Sequence, residues 1–307
     1  MTNSSPEFED GKCFFVIGSN TVEQHPIIGT KVMKAKANGA KIVLADPRDV
    51  PMSLYADVHL KHRPGTDVAL LNGLAHAILE QGLEDKEFIK NRTENFDAYK
   101  EVVQKWTCEK AGEICGVDPD LIRKAAKIYA EADAAALLYA MGITQHITGT
   151  DNVLSCCNLA MLTGNMGKAG GGVNPLRGQN NVQGACDMGG LPNVFTGYQK
   201  VIDPAAVEKF EKGWGATGIP NKNGITVVEI MNAILDGKIK ALYVMGENPM
   251  LSDPDSKHVE QALKACPLLI VQDIFPTETG NLAQYLLPAS TFAEKNGTFT
   301  ATDRRVQ

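Results

Sequence analysis

Short apolar runs alternate with longer segments of helical spacing along this chain. The first run, Cys13–Ile17 (CFFVI), closes on Gly18-Ser19-Asn20 and predicts a buried strand with a tight turn after it. Residues 27–37 carry a helical pattern that stops at Asn38-Gly39. Lys41–Ala45 (KIVLA) is a second strand, closed by Asp46-Pro47-Arg48, and residues 56–60 are a third. Strand, helix, strand in this order is a βαβ unit and predicts a parallel sheet. Helical spacing continues over residues 67–81, with Thr66 as the expected N-cap, and over 85–90, 96–104 and 119–131. Residues 134–139 read as a strand and 152–162 as a helix.

The pattern breaks at Gly164. Residues 164–190 hold nine glycines, four asparagines and two glutamines, with almost no helical periodicity. They predict a long functional loop rather than a linker, because they also carry Arg177, Asp187 and the apolar anchors Leu176, Val182 and Met188. A second α/β pattern follows. Val227–Leu235 reads as a helix, and Ala241–Met245 as a strand ending on Gly246-Glu247-Asn248-Pro249. Residues 258–264 are helical, 268–271 form a strand ending on Gln272-Asp273, and Tyr285–Pro288 is a third strand end. The fold class expected is α/β, with two Rossmann-like doubly wound modules and mainly parallel sheets, divided as residues 1–177 and 178–307. GSN and ADPR in the first half match GENP and QDIF in the second as a loose internal repeat. The alternative is that many α/β strands simply end in Gly or Asp.

Composition narrows the class. A length of 307 residues suits about two domains. An apolar share of 44% and a charged share of 21% exclude a disordered acidic chain, a collagen and a disulfide-packed toxin. The net charge of −6, with no dense basic run, gives no footprint for nucleic acid. No apolar stretch approaches a bilayer span, and the start, MTNSSPEFEDGK, lacks the basic-then-apolar pattern of a secretory signal. No membrane span and a cytoplasmic setting are therefore expected, with a periplasmic one open if a leader lay upstream. The seven cysteines are scattered without a C-x-x-C pair. They read as reduced thiols rather than as ligands of a zinc or iron–sulfur site built by this chain alone.

In an open α/β sheet, ligands sit at the carboxyl ends of the strands. Gly18-Ser19-Asn20, Asp46-Pro47-Arg48, Gly246-Glu247-Asn248 and Gln272-Asp273 all fall there. A carboxylate such as Asp46 can accept two ribose hydroxyls, and Arg48 can stack on a base or pair a phosphate. The alternative is that Asp46 caps its own turn and Arg48 is a solvated charge. Neither G-x-G-x-x-G after the first strand nor a P-loop is present, which argues against an ordinary nicotinamide dehydrogenase or ATPase. In the glycine-rich segment, Gln179, Asn180, Asn181 and Gln183 suit a polar heterocycle. Arg177 offers a bidentate fork for a carboxylate or other small oxyanion. The six histidines show no ligand spacing, and Cys186 reads as a small buried thiol.

Several strings together carry a family resemblance: VIGSNTVEQHP, KANGAKIVLADPRDV, LLNGLAHAILE, AMLTGNMGKAGGGVNPLRGQNNVQGACDMG, YVMGENP, VQDIFPTET and NGTFTATDRRVQ. The chain resembles, over nearly its whole length, the catalytic alpha subunits of molybdenum- or tungsten-dependent formate dehydrogenases in the molybdopterin oxidoreductase family. GSN, DPR and GENP are shared across that wider family, whereas NPLRGQNNVQGACDMG points to formate dehydrogenase. The resemblance implies a bis-molybdopterin guanine dinucleotide (MGD) cofactor carrying Mo or W. By similarity, Gly18, Asn20, Asp46, Arg48, Gly142 and Gln145 line one nucleotide. Gly246, Glu247, Asn248, Gln272, Asp273 and Thr277 line the other, and Gly178, Gln179 and Gly184 sit near the pterins. Arg177 falls on the family's active-site arginine, which orients formate.

The family's cysteine-rich [4Fe–4S] domain, its metal-ligating cysteine or selenocysteine and the histidine that follows have no counterparts here, so no metal ligand is assigned. The resemblance therefore places the chain in the middle of the alpha subunit, with its remaining parts and an electron-transfer iron–sulfur subunit as expected partners. Two alternatives accompany this expectation: a non-catalytic MGD-binding or assembly fragment, and a related molybdoenzyme acting on another small oxyanion.

Overall fold

The computed structural model describes every residue from Met1 to Gln307. They form two compact units: Met1–Gln183 together with Thr300–Gln307, and Gly184–Phe299. The first unit is built on strands β1 (Cys13–Ile17), β2 (Lys41–Ala45), β3 (Val58–Leu60), β4 (Ala135–Tyr139) and β5 (Val173–Pro175). All are parallel, in the order β3-β2-β1-β4-β5. The chain first builds outward from β1 and then returns to lay β4 on its other side. That reversal makes the gap between the ends of β1 and β4 a topological switch point.

Every residue of β1 and β4 is buried, as a parallel sheet covered on both faces requires of its central strands. Alternation assigns the faces. Phe14 and Val16 pack with Ile28, Val32 and Ala35 of α2 (Pro26–Ala37), which follows the one-turn α1 (Thr21–Gln24). Cys13, Phe15 and Ile17 pack on the opposite side against α3 (Asp67–Glu80) and its neighbours. Those neighbours follow α4 (Lys86–Arg92) and α5 (Phe96–Val103), and are α6 (Cys108–Cys115) and α7 (Pro119–Ala130). After β4 come α8 (Met141–Thr144) and α9 (Gly149–Leu162). Asp118 starts α7 by accepting the Asp120 N–H, with Pro119 at the first helical position.

Thr66 stands at the N-cap of α3 as expected, but without a side-chain cap bond. Its hydroxyl donates to the Arg63 carbonyl at 2.6 Å, a turn bond that competes with capping. The glycine-rich segment is also more structured than its composition suggests. It contains β5 and the helix α10 (Val182–Asp187). Both are too short for periodicity to reveal, and β5 ends in Pro175 at the sheet edge, where a missing N–H is tolerated. The division of the chain falls at Gln183/Gly184 rather than after Arg177, and Thr300–Gln307 rejoin the first unit. They do so because Ser5 donates its N–H and its hydroxyl to Asp303 (3.0 Å each), and Asn181 accepts the Thr300 N–H (2.9 Å).

The second unit begins with a two-stranded antiparallel ribbon, β6 (Val194–Phe195) and β7 (Gln199–Lys200), followed by α11 (Pro204–Trp214) and α12 (Val227–Leu235). Then come β8 (Ala241–Met245), α13 (Pro249–Ser252), α14 (Ser256–Ala265), β9 (Leu268–Asp273) and β10 (Tyr285–Pro288). These three strands are parallel in the order β10-β9-β8. Val244, Leu269 and Val271 pack against α12 and α14. No helix in either unit is long and apolar enough to cross a membrane.

Candidate functional site

The first unit opens a cleft at its switch point. Its wall includes Gly18 and Asn20 after β1, Asp46 and Arg48 after β2, and Gly142 after β4. The local cause is steric. Gly18 turns the chain in the left-handed region (φ 58°), and its backbone lies so close to Gly142 that a Cβ on Gly142 would sit 2.6 Å from the Gly18 Cα. The Gly142 N–H donates to the Gly18 carbonyl (3.0 Å), tying the two strand ends together. Gln145, expected on the same nucleotide, closes α8 and is exposed, outside the residues that line the cleft.

Asp46 is 4% exposed and accepts the Arg48 N–H at 2.9 Å, so it caps its own turn with one oxygen. The exposed Arg48 guanidinium lies 3.9 Å from the same oxygen. Asn20 Nδ2 donates to Glu23 (2.8 Å), leaving its Oδ1 shut away from solvent without a partner. Three side chains with no motif of their own join this wall: His62, Asp67 and His146. His62 and Asp67 are both buried, with Nε2 3.0 Å from Oδ1. Asp67 Oδ2 is buried without a hydrogen bond, 3.9 Å from His146 Nε2, and that imidazole meets the Gly142 carbonyl at 2.8 Å. The signal available in the sequence was weak. The loop R-P-G-T-D opens α3 just after a strand end, the place where α/β ligands bind.

Arg177 also lies at the carboxyl edge of this sheet. Its neighbour Leu176 donates to the Tyr139 carbonyl at the end of β4 (2.8 Å). The Arg177 N–H is held by the Thr302 hydroxyl at 3.0 Å, and its side chain is exposed. Burial pushes the Tyr139 hydroxyl up to about 12, with the Arg177 charge acting in the opposite sense. Gly178 and Gln179 follow on exposed backbone, whereas Gly184 is buried within α10 and belongs to the second unit.

The second unit repeats the strand-end device. Gly246 takes φ 66° and donates to the Gln272 carbonyl (2.9 Å), as Gly18 donates to Ala45 (3.1 Å). Asn248 precedes the one-turn α13 as Asn20 precedes α1. The partners differ. Asn248 Oδ1 accepts the Thr279 hydroxyl (2.7 Å), and its Nδ2 donates to Glu278 (2.6 Å). Gln272 accepts the Tyr243 hydroxyl (2.6 Å), Glu247 accepts from Ser252 (3.3 Å), and Asp273 accepts the Ile274 N–H (2.7 Å). Thr277 accepts the Gly280 N–H (3.0 Å), which closes the turn after β9.

The parallel α/β sheet with a cleft at its strand ends, and the same turn repeated in a second α/β unit, define an α/β fold of the doubly wound type. The molybdopterin oxidoreductase family profile matches residues 1–307, and the chain belongs to that family. It is 54% identical, over all of its length and 45% of the relative's, to the F420-dependent formate dehydrogenase 1 subunit alpha of Methanococcus maripaludis. It is 45% identical to formate dehydrogenase H of Escherichia coli, over all of this chain and 43% of that one. The chain thus spans under half the length of these relatives. Acetylene hydratase from Pelobacter acetylenicus shares the fold, with a TM-score of 0.72 at 23% identity over 95% of this chain and 42% of its own. The group this family implies is a molybdopterin carrying Mo or W.

The residues lining the cleft fit a polar group of this kind. The orphaned Asn20 Oδ1 and Asp67 Oδ2 in the cleft wall call for hydrogen-bond donors.

Proposed function

We propose that this chain is the MGD-binding part of a formate dehydrogenase alpha subunit, which oxidises formate to carbon dioxide with loss of two electrons. The observation that carries this is 54% identity along the whole chain to such a subunit; Arg177, which follows the β5 edge strand and is anchored at its backbone by Thr302, supports it. When bound, the metal–pterin group would accept the electrons.

The residues of this chain bind and orient. Asn20 Oδ1 and Asp67 Oδ2 accept from the N–H edge of a guanine or from ribose hydroxyls, while the mutual contact of Gly18 and Gly142 holds the two strand ends that frame the cleft. Asp46 keeps its second oxygen for a ribose, and Arg48 supplies a cation for phosphate. Gln145 lies just outside that wall. In the second unit, Gly246, Glu247, Asn248, Gln272, Asp273 and Thr277 are the corresponding set for a second MGD. Gly178, Gln179 and Gly184 are assigned to the pterins. Arg177, fixed at its backbone by Thr302, holds the formate carboxylate through its guanidinium fork.

The proposal places the [4Fe–4S] cysteines and the protein ligand to the metal outside these residues. It also gives the enzyme an electron-transfer iron–sulfur partner and a cytoplasmic setting.

The test is Arg177→Ala in the holoenzyme. Formate turnover should fall by about 10²–10³-fold, the usual loss when a charge-stabilising donor is removed. Metal and acid-released guanine nucleotide should stay at wild-type content. Undiminished turnover would remove Arg177 from the reaction, and holoenzyme without guanine nucleotide would remove MGD.

A further inference from the structure

On the far side of the first unit's sheet from α2, three potential ligands converge that no motif announces. His76 and Glu80 are one helical turn apart on α3 and share a face. Cys108 is the first residue of α6. One nitrogen, one carboxylate oxygen and the sulfur of these residues all lie within 4.8 Å of one another.

The convergence has a structural cause. A Cβ on Gly73 would lie 2.5 Å from the Ala111 Cβ, so the absence of a side chain there lets α6 cross α3 at close range. The Cys108 thiol is thereby set 3.9 Å from the Gly73 carbonyl, one turn before His76. A second observation points to a ligand. His76 Nδ1 is sealed from solvent and has no hydrogen-bond partner. A buried ring nitrogen without a partner is costly, and a bound cation is one way to satisfy it.

The neighbouring charges are Glu109, Asp120 and Arg123. Arg123 is bonded to Glu109 and lies 3.2 Å from Asp120, whereas its Nε is 3.6 Å from Glu80. The guanidinium therefore keeps two carboxylates if the exposed Glu80 swings away from it.

We propose that His76, Glu80 and Cys108 form a binding site for a divalent transition ion of the zinc class, sharing no residue with the strand-end cleft and independent of the function proposed above. One thiolate, one imidazole and one carboxylate are a donor set suited to a borderline-soft ion such as Zn²⁺, with water completing a tetrahedron. As the ion enters, the Cys108 S–H bond breaks and its proton leaves to solvent, the sulfur–metal bond forms, and no electron is transferred. The side chains need to close by roughly 1 Å to reach tetrahedral ligand separations. Glu80, being exposed, has the freedom to do so.

Cobalt(II) titration of the purified chain tests this, because a cysteine-ligated cobalt ion shows a thiolate-to-metal charge-transfer absorption. The expected result is one equivalent bound with that absorption, displaced by zinc. Cys108→Ser should erase the band, and Glu80→Gln should weaken zinc binding by at least the ~10–100-fold seen when even an outer-shell partner is disturbed. Arg123→Ala, which removes the guanidinium paired with Glu80, should tighten binding by freeing that carboxylate for the ion. Circular dichroism checks that each variant is folded. Should Cys108→Ser not fold, the wild-type band together with the opposite shifts in Glu80→Gln and Arg123→Ala decides the matter. A folded wild-type chain with no thiolate band overturns the proposal. So does a band that survives in Cys108→Ser, or binding that neither Glu80→Gln nor Arg123→Ala alters.

Discussion

The two α/β units use the same strand-end device in different surroundings. In the first, β1 and β4 are buried on both faces and Gly18 is pressed against Gly142. In the second, α12 and α14 cover one face only, and Tyr243, Met245 and Tyr285 are 48%, 68% and 60% exposed. Nothing lies within 4 Å of where a Gly246 Cβ would be. The short motif of Gly, a variable residue and Asn therefore sets the turn in both units, while packing decides how much energy rests on it. Asn20 keeps an orphaned oxygen, whereas the corresponding oxygen of Asn248 is satisfied by Thr279.

The largest effect should come from the buried strands. Phe15 is 1% exposed and meets Tyr129 edge-on with ring centroids 5.8 Å apart. Phe15→Ala should cost about 3–5 kcal/mol. Leu287→Ala in β10, where the side chain is 41% exposed, should cost about 1 kcal/mol or less. The two tryptophans allow each unit to be followed separately. Trp106 lies in the first unit and Trp214 in the second. Denaturation monitored by Trp106 fluorescence in a Trp214→Phe background reads the first, and the reverse pair reads the second. Equal losses from Phe15→Ala and Leu287→Ala would erase the contrast in packing.

The paired glycines sharpen the comparison next. Gly142→Ala drives a Cβ into backbone atoms of Gly18 that cannot rotate away. It should cost about 1–3 kcal/mol or more and, with MGD bound there as proposed above, reduce bound guanine nucleotide. Gly246→Ala meets only its own left-handed φ of 66° and should cost about 1–2 kcal/mol. A Gly246→Ala variant that destabilises its unit more than Gly142→Ala does would show that the second turn is packed by something the free space around it hides.

What was legible in the sequence follows from this difference. Strand ends at Gly18, Asp46, Gly246 and Gln272 could be read because a short apolar run stopped by Gly or Asp is a local signal. The family resemblance was legible in NPLRGQNNVQGACDMG, and the family match extends it over all residues. His62, Asp67 and His146 were not legible, because they share a wall only after β3, α3 and α8 are brought to one sheet edge. The return of Thr300–Gln307 to the first unit rests on contacts such as Thr302 to Arg177, more than a hundred positions apart, which no window can see. The cluster of His76, Glu80 and Cys108 escaped spacing rules for the same reason, since the cysteine arrives on a different helix.

Helix caps are a smaller and more even test. Asp118 accepts the Asp120 N–H in the first unit, and Thr226 forms a reciprocal capping box with Glu229 in the second. Each change to Ala should cost about 1 kcal/mol in its own unit. Equal losses are expected because a cap is a local device, indifferent to whether the sheet behind it is covered on one face or two.

Acid should separate the units by the least. In the first, Glu7 accepts from Asn3 Nδ2 (2.9 Å), the Ser4 hydroxyl (2.7 Å) and the Gly170 N–H (3.1 Å). The Asn3 bond, then that of Ser4, holds its carboxyl down at about 2 from an ordinary 4.5. A depressed carboxyl contributes stability that is fully present above its unfolded value and is lost as pH falls through its folded one. The window for Glu7 therefore runs from about 4.5 down to about 2. Its contribution should be below about 1 kcal/mol, since the group is near solvent. Glu229, lowered mainly by the Thr226 N–H, is a fully exposed counterpart in the second unit. The stability advantage of the wild type over Glu7→Gln, read by Trp106, should shrink steadily across that window, with no matching trend at Trp214. An advantage that stayed constant from pH 5 to pH 2 would mean that Glu7 links Asn3, Ser4 and Gly170 equally well when protonated, and that charge plays no part in joining the chain's start to the edge of the first sheet.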